Sequence, residues 1–404
     1  MKKAIIHASQ LLSGVGVAQK DGRHPKEQDL GQIDDAAIVY GDKHVHWVGK
    51  TSELPKKFLK VPRKNLRLKL AVIPGLVDCH THLIFAGDRS EEFAARCGGA
   101  TYEEIAKKGG GIITTVKATR AASVDELVKL AIPRAEEAYS FGVRTLEIKS
   151  GYGLSVEAEL NILKAAKILK ARFPKLTFST TFLGAHAFPP EVSRKDYLDQ
   201  ITNQMLPEVA RKKLADACDV FIDEGYYTCA EGRTILEKAK KLGLKIKIHA
   251  DELVNTESSS LAVDLGALSA DHLLKISDKS IKKLAKSNTV AVLLPGTAFY
   301  LKAPYAPARK LIDAGAAVAL STDFNPGTCM TLSLPVIMTI SALYMGMTKA
   351  EIFAAVTYNG AKALGLSDQK GTLEVGKSSD FAVLPFERFE EMYYRFAWSP
   401  LLTR

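Results

Sequence analysis

The stretch Val72-Ile73-Pro74-Gly75-Leu76-Val77-Asp78-Cys79-His80-Thr81-His82 constrains this chain more than any other. Its apolar and β-branched residues read as a buried strand that ends in two histidines one residue apart. Alternate side chains of a strand share a face, so His80 and His82 point the same way and Thr81 turns to the other side. Two imidazoles so placed can chelate one divalent ion, or stand as two hydrogen-bonded histidines of an ordinary core. Pro74-Gly75 breaks the incoming chain just before the strand. His44-Val45-His46 repeats the spacing with no acidic or histidine motif nearby. It reads as exposed strand surface, because a metal site needs three or four convergent ligands.

Ahead of this stretch, residues 1–71 form short strand-like runs (Ala4 to His7, Ala36 to Tyr40, His44 to Val48) punctuated by Gly41-Asp42 and Gly49. They predict a small antiparallel unit. After it, Thr101 with Glu104 three residues on predicts a capped helix that Gly109-Gly110-Gly111 ends. Strand-like runs then alternate with amphipathic helices such as Val124 to Ala138 and Ser155 to Arg172. The runs are Val143 to Ile148, Leu176 to Leu183, Ala217 to Ile222, Leu244 to Ile248, Ala267 to Ala270, Thr289 to Leu294 and Ala316 to Leu320. With the opening strand they make eight, which predicts an α/β fold with a closed, TIM-like (β/α)8 barrel. A doubly wound open sheet is the main rival, but it would usually carry a glycine-rich dinucleotide loop after an early strand, and the sequence has none.

Polar residues gather where these strands end, which is the catalytic face of a parallel barrel. Five of the nine histidines fall there: His80, His82, His186, His249 and His272. His80, His82, His249 and Asp323 together offer three imidazoles and one carboxylate to a divalent ion, with room for a water that such an ion would acidify. Glu252, three residues after His249, reads as a proton carrier at the mouth of the site or as half of a structural salt bridge. His272 and His186 read as substrate contacts or as satisfied core histidines. Asp78 and Asp271 adjoin histidines in the chain and read as their hydrogen-bond partners.

A charge of +10 invites a nucleic-acid reading, but the lysines are scattered along helix-like segments and form no basic arm with interleaved aromatics. The excess suits a lysine-rich surface and a small anionic substrate. The five cysteines are odd in number, far apart and without a CxxC pair, which points to reduced thiols and a cytoplasmic location. The chain shows neither a signal peptide nor an apolar run of membrane-spanning length, so no membrane partner is expected.

The residues now on the page resemble the amidohydrolase superfamily: HxH on strand one, histidine on strands five and six, aspartate on strand eight. Within it the closest resemblance is to the imidazolonepropionase family. It is carried by Pro74 to His82, Gly87-Asp88-Arg89, Gly98 to Tyr102, Lys149-Ser150-Gly151-Tyr152-Gly153, Gly184-Ala185-His186 and Asp323-Phe324-Asn325-Pro326-Gly327-Thr328. The resemblance implies a barrel over 72–368 and a small β-sandwich built from both chain ends, 1–71 and 369–404. It implies zinc or iron, one ion per chain, on His80, His82, His249 and Asp323. It implies hydrolysis of the cyclic amide of 4-imidazolone-5-propanoate, with Glu252, His272 and Asp323 as catalytic groups. Substrate contacts would come from Arg89, Tyr152, His186, Glu252, His272, Asn325, Gly327 and Thr328, with the planar fork of Arg89 suited to the propanoate carboxylate. A homodimer is implied on the same ground. Strand four ends in Asp223-Glu224 without the bridging lysine of dinuclear members, which favours a single ion; Lys149 is the residue that could change this. The alternative activity is deamination of a purine or pyrimidine-like heterocycle.

Overall fold

The computed structural model describes residues 1–99 and 110–400. The helix expected from Thr101 lies outside the described residues. Eight parallel strands run in sequence order around the barrel: Leu76–Asp78, Val143–Lys149, Thr177–Ala185, Ala217–Ile222, Lys245–Ala250, Ser269–His272, Val290–Leu293 and Val318–Leu320. The first and last are only three residues long, and they join just beyond their ends. There Thr81 bridges Phe324 in parallel register, Asp323 N donates to His80 O at 3.0 Å, and His82 N donates to Phe324 O at 2.9 Å. Closure of the barrel and placement of His80, His82 and Asp323 are therefore one event.

The stretch around Pro74-Gly75 is two strands where the sequence suggests one. Ala71–Pro74 pairs with Phe381–Leu384 antiparallel and touches Lys3–Leu12 at Leu11 and Val72, so it belongs to a second sheet; only Leu76–Asp78 enters the barrel. Gly75 makes the transfer because a Cβ there would collide with the side chain of Arg144, and its N–H donates to Asp380 O at 3.0 Å. The second sheet has six strands and is mixed, with Gln32–Tyr40 and Val45–Lys50 adding antiparallel to Lys3–Leu12. Both chain ends thus meet in one sheet that braces the entry to the first barrel strand.

The helices start where the sequence places caps. Ser123 and Glu126 form a reciprocal capping box for Val124–Ser140, and the Ser155 side chain caps Val156–Arg172. Buried Leu127, Val128, Ala131, Ala135 and Ala138 mark the inner stripe of the first, and Ile162, Leu163, Ala166 and Leu169 that of the second. Each large side chain so buried contributes roughly 1.5–3 kcal/mol. This shell fixes the strand ends, and with them the site.

Candidate active site

His80 and His82 lie just past the first strand with ring centroids 5.6 Å apart, and His249 from strand five approaches His80 to 4.5 Å. Ligand nitrogens of these three lie within 4.8 Å of one another, as do donor atoms of His80, His272 and Asp323. Asp323 brings Oδ1 to 3.4 Å from His80 Nε2 and 3.6 Å from His82 Nε2, while its Oδ2 accepts from Thr297 Oγ1 at 2.5 Å. Both Asp323 and His272 adopt left-handed backbone, φ 52° and 77°, a strain that clusters at working sites.

A cation would fit this donor set. Burial, aided by the Lys149 charge, holds the His80 imidazole well below its ordinary pKa, and burial beside His186 does the same to His82, so both are neutral. His80 Nε2 and His249 Nε2 are buried and without a hydrogen-bond partner among the described residues. Three imidazoles with one carboxylate oxygen suit a borderline divalent ion.

Under the donors lies a layer of which the sequence reading found only Asp271. Asp271 Oδ2 stands 2.6 Å from His80 Nδ1, and Asp219 Oδ2 stands 2.9 Å from His249 Nδ1, which leaves each Nε2 facing the centre. Lys149 Nζ reaches Asp219 at 2.6 Å and Glu147 at 3.1 Å; Lys247 Nζ reaches Glu147 at 2.7 Å and Cys79 O at 2.8 Å. All five charged groups are fully buried. Burial opposes ionisation of Asp219, but His249 and Lys149 overcome it and hold the carboxyl well below its usual range. Burial likewise opposes the Lys149 charge, and Asp219, Glu147 and Asp271 more than restore it. Lys149 is thus an ammonium locked among carboxylates, where a carbamate would be repelled. The available signal was polar residues spaced by two on otherwise apolar strands: Glu147 with Lys149, and Lys247 with His249.

Asp271 does partner a histidine, but His80 across the barrel and not the adjacent His272, and Asp78 meets none. Asp78 instead accepts from Thr322 N at 3.0 Å and Thr322 Oγ1 at 2.7 Å and pairs with Ser321 Oγ, tying strand one to the residues before Asp323. Its side chain crosses to the neighbouring strand because the barrel closes there.

Above the donors opens a cavity of about 590 Å³, lined among others by His82, Arg89, Tyr152, His186, His249, Glu252, His272, Asp323, Asn325, Gly327 and Thr328. His80, the one expected site residue absent from this lining, lies beneath. Glu252 Oε1 is 3.4 Å from His272 Nδ1. Burial, with Asp323 and Asp223 nearby, pushes the Glu252 carboxyl well above its ordinary pKa; burial pushes Asp323 up to about 7. Asp223 holds the Glu252 loop by accepting from the backbone N–H groups of Glu252, Leu253 and Val254 at 3.1, 2.7 and 3.1 Å. Glu159, on the helix after strand two, does the same for the Tyr152 loop through Gly151, Gly153 and Leu154. Neither anchor was foreseen, since each acts on backbone across a loop.

His186 stacks on His82 at 5.0 Å, and its Nδ1–H donates to Gly151 O at 3.0 Å, which leaves Nε2 as an acceptor. Burial lowers its pKa to about 3. Tyr152 packs 5.5 Å from His82 and 5.4 Å from His186. Asn325 lines the cavity, but its amide knits the turn: Oδ1 accepts from Gly327 N at 2.9 Å and Thr328 N at 2.8 Å, and Nδ2 donates to Asp323 O at 2.7 Å. Phe221, Tyr226, Glu92 and Arg96 also line the cavity and were not expected.

Residues 71–395 match the amidohydrolase family. The chain is 47% identical over 391 residues to an imidazolonepropionase of Bdellovibrio bacteriovorus, covering 96% of this chain and 91% of that one. It is 46% identical over 386 residues to an imidazolonepropionase of Symbiobacterium thermophilum, covering 94% and 90%. Among solved structures it resembles a triazine hydrolase variant (TM-score 0.71, 15% identity, 95% of this chain and 86% of that one). It also resembles an adenosine deaminase from Xanthomonas campestris with bound zinc (TM-score 0.71, 16% identity, 94% and 84%). At such identities the solved structures speak for the fold alone. The near-half identity along almost the whole chain speaks for more: the chain belongs to the amidohydrolase family and, within it, to the imidazolonepropionases.

Proposed function

We propose that the chain hydrolyses the ring amide of 4-imidazolone-5-propanoate to N-formimidoyl-L-glutamate, a step of histidine degradation. The observation that carries this reading is the convergence, in one cavity, of the histidine and aspartate donors, Glu252 and Arg89 in a chain 47% identical to an imidazolonepropionase. His80, His82 and His249 through imidazole nitrogens, and Asp323 through Oδ1, would hold one zinc or iron ion. An ion held there supplies Lewis acidity to a carbonyl oxygen and to a water.

The chain's own groups do the rest. Water adds to the ring carbonyl carbon and passes a proton to the Asp323 carboxylate, the bond from that carbon to the ring nitrogen breaks, and the nitrogen leaves as the amidine NH₂ of the formimidoyl group. Glu252, whose carboxyl burial holds well above its ordinary pKa, gives its proton to that nitrogen. His272, neutral and 3.4 Å from Glu252, donates toward the carbonyl oxygen as negative charge develops on it. Tyr152 and His186 wall the ring, and Arg89 holds the propanoate. Lys149, locked as an ammonium, supports a single ion. The same reading carries a cytoplasmic homodimer with a small anionic heterocycle as its partner. The five cysteines are free thiols, and among the described residues no helix is long and apolar enough to cross a membrane.

Incubating purified protein with 4-imidazolone-5-propanoate while assaying ammonia tests the reading. Ring opening without ammonia is expected. Ammonia release from cytosine or guanine, with the imidazolone untouched, would replace it with the aminohydrolase alternative.

A further inference from the structure

The wall of the cavity holds a second guanidinium beside Arg89. Helix Ser90–Cys97 begins directly after Arg89, and Arg89, Glu92 and Arg96 all face the cavity from it. Arg89 donates from Nε to Glu92 Oε2 at 3.0 Å and from Nη2 to Glu92 Oε1, and Glu92 Oε2 also accepts from Gly111 N at 2.9 Å. One edge of the Arg89 fork is therefore occupied and its charge is offset. The edge left is Nη1, which lies against Gly327 so closely that a Cβ there would strike it.

Arg96 is in a different state. Its guanidinium carbon lies 5.6 Å from the Phe93 ring centroid and 5.2 Å from that of Tyr300, and these rings stack at 4.7 Å. Its Nη2 is buried and has no hydrogen-bond partner among the described residues. A buried N–H without an acceptor is costly, and the cost is relieved by an acceptor that arrives from outside. Two cations and one carboxylate leave the wall with one net positive charge. The aromatic pair holds the fork flat, which favours a planar anion such as a carboxylate.

We propose that Arg96 binds the propanoate carboxylate of the substrate together with the Nη1 edge of Arg89 that Glu92 leaves open. Arg96 is then a specificity-determining residue: it selects the acid over a neutral side chain on the same heterocycle. The inference rests on the functional reading given above, and Arg96 sits on an outer helix where its replacement leaves the barrel intact.

The test is steady-state kinetics of metal-loaded wild type, Arg96→Gln and Arg96→Lys on 4-imidazolone-5-propanoate, with inhibition constants for imidazole-4-propanoate and imidazole-4-propanamide. Arg96→Gln should raise KM for the acid about tenfold with kcat falling less than about threefold. It should weaken inhibition by the propanoate but not by the propanamide. Arg96→Lys should recover part of the loss, since it keeps the charge without the planar fork. An unchanged KM in Arg96→Gln, or equal weakening of both inhibitors, overturns the inference while the wild type still turns over. Absence of turnover in the wild type overturns the functional reading, and the inference falls with it.

Discussion

The floor and the wall of the cavity hold charge in opposite ways. On the floor, Glu147, Asp219 and Asp271 alternate with Lys149 and Lys247 on four strands, wholly buried, and two of the ligand histidines, His80 and His249, take their orientation from this layer. On the wall, Arg89 and Glu92 pair within one helical turn at 11% and 16% exposure, and Arg96 keeps a nitrogen that is unpaired among the described residues. The floor is over-determined, because each charge has partners on more than one strand. The wall is under-determined and open to an incoming anion. Rigid charge suits a group that must not move between turnovers, whereas incompletely satisfied charge suits one that must be completed by substrate.

The sharpest way to break the contrast is to remove a floor cation. Lys149→Met should destabilise the protein by about 3–5 kcal/mol, because Asp219 and Glu147 would be left buried without it. Denaturant titration measures this, and a loss below about 1 kcal/mol would mean the floor is no more rigid than the wall. Glu252→Gln comes next, with turnover falling about 10²–10⁴-fold while bound metal stays constant. The raised Glu252 pKa also sets a pH dependence. The protonated carboxyl is the working form, so wild-type kcat should fall as pH rises through the folded value. The same group is stabilising below its ordinary value of 4.5 and loses that contribution as pH climbs through the raised one, so Glu252→Gln should outlast the wild type in alkaline denaturation.

Much of this was legible before any coordinates. The barrel could be read because strand and helix periods alternate eight times, and the donors because histidines and an aspartate fall where strands end. Apart from Asp271, the floor was not legible, because a lysine such as Lys247 in Lys245-Ile246-Lys247-Ile248 reads as solvent-facing unless the opposite face is known to be a closed barrel interior. The break at Pro74-Gly75 was legible, but the strand before it was not, for a related reason: both halves are apolar, and only pairing with Phe381–Leu384 shows that the first half belongs to another sheet. The loop anchors Asp223 and Glu159 were invisible because a carboxylate that accepts backbone N–H groups leaves no pattern in side-chain spacing.

Two smaller effects sharpen the comparison. Asp271→Asn should weaken metal binding about 10–100-fold, read by chelator competition, because the His80 tautomer loses its partner. At the wall, Arg89→Met should raise KM with a lesser change in kcat, and denaturant stability should move less than in Lys149→Met. Equal stability losses at both places would erase the distinction.

Hydrolysis in ¹⁸O-enriched water, with the product read by mass spectrometry, tests the central claim most directly. The account predicts one heavy oxygen in the new α-carboxylate of N-formimidoyl-L-glutamate and none on the formimidoyl carbon. Label on the carbon between the two nitrogens, or an unconsumed imidazolone in metal-loaded protein, would contradict it.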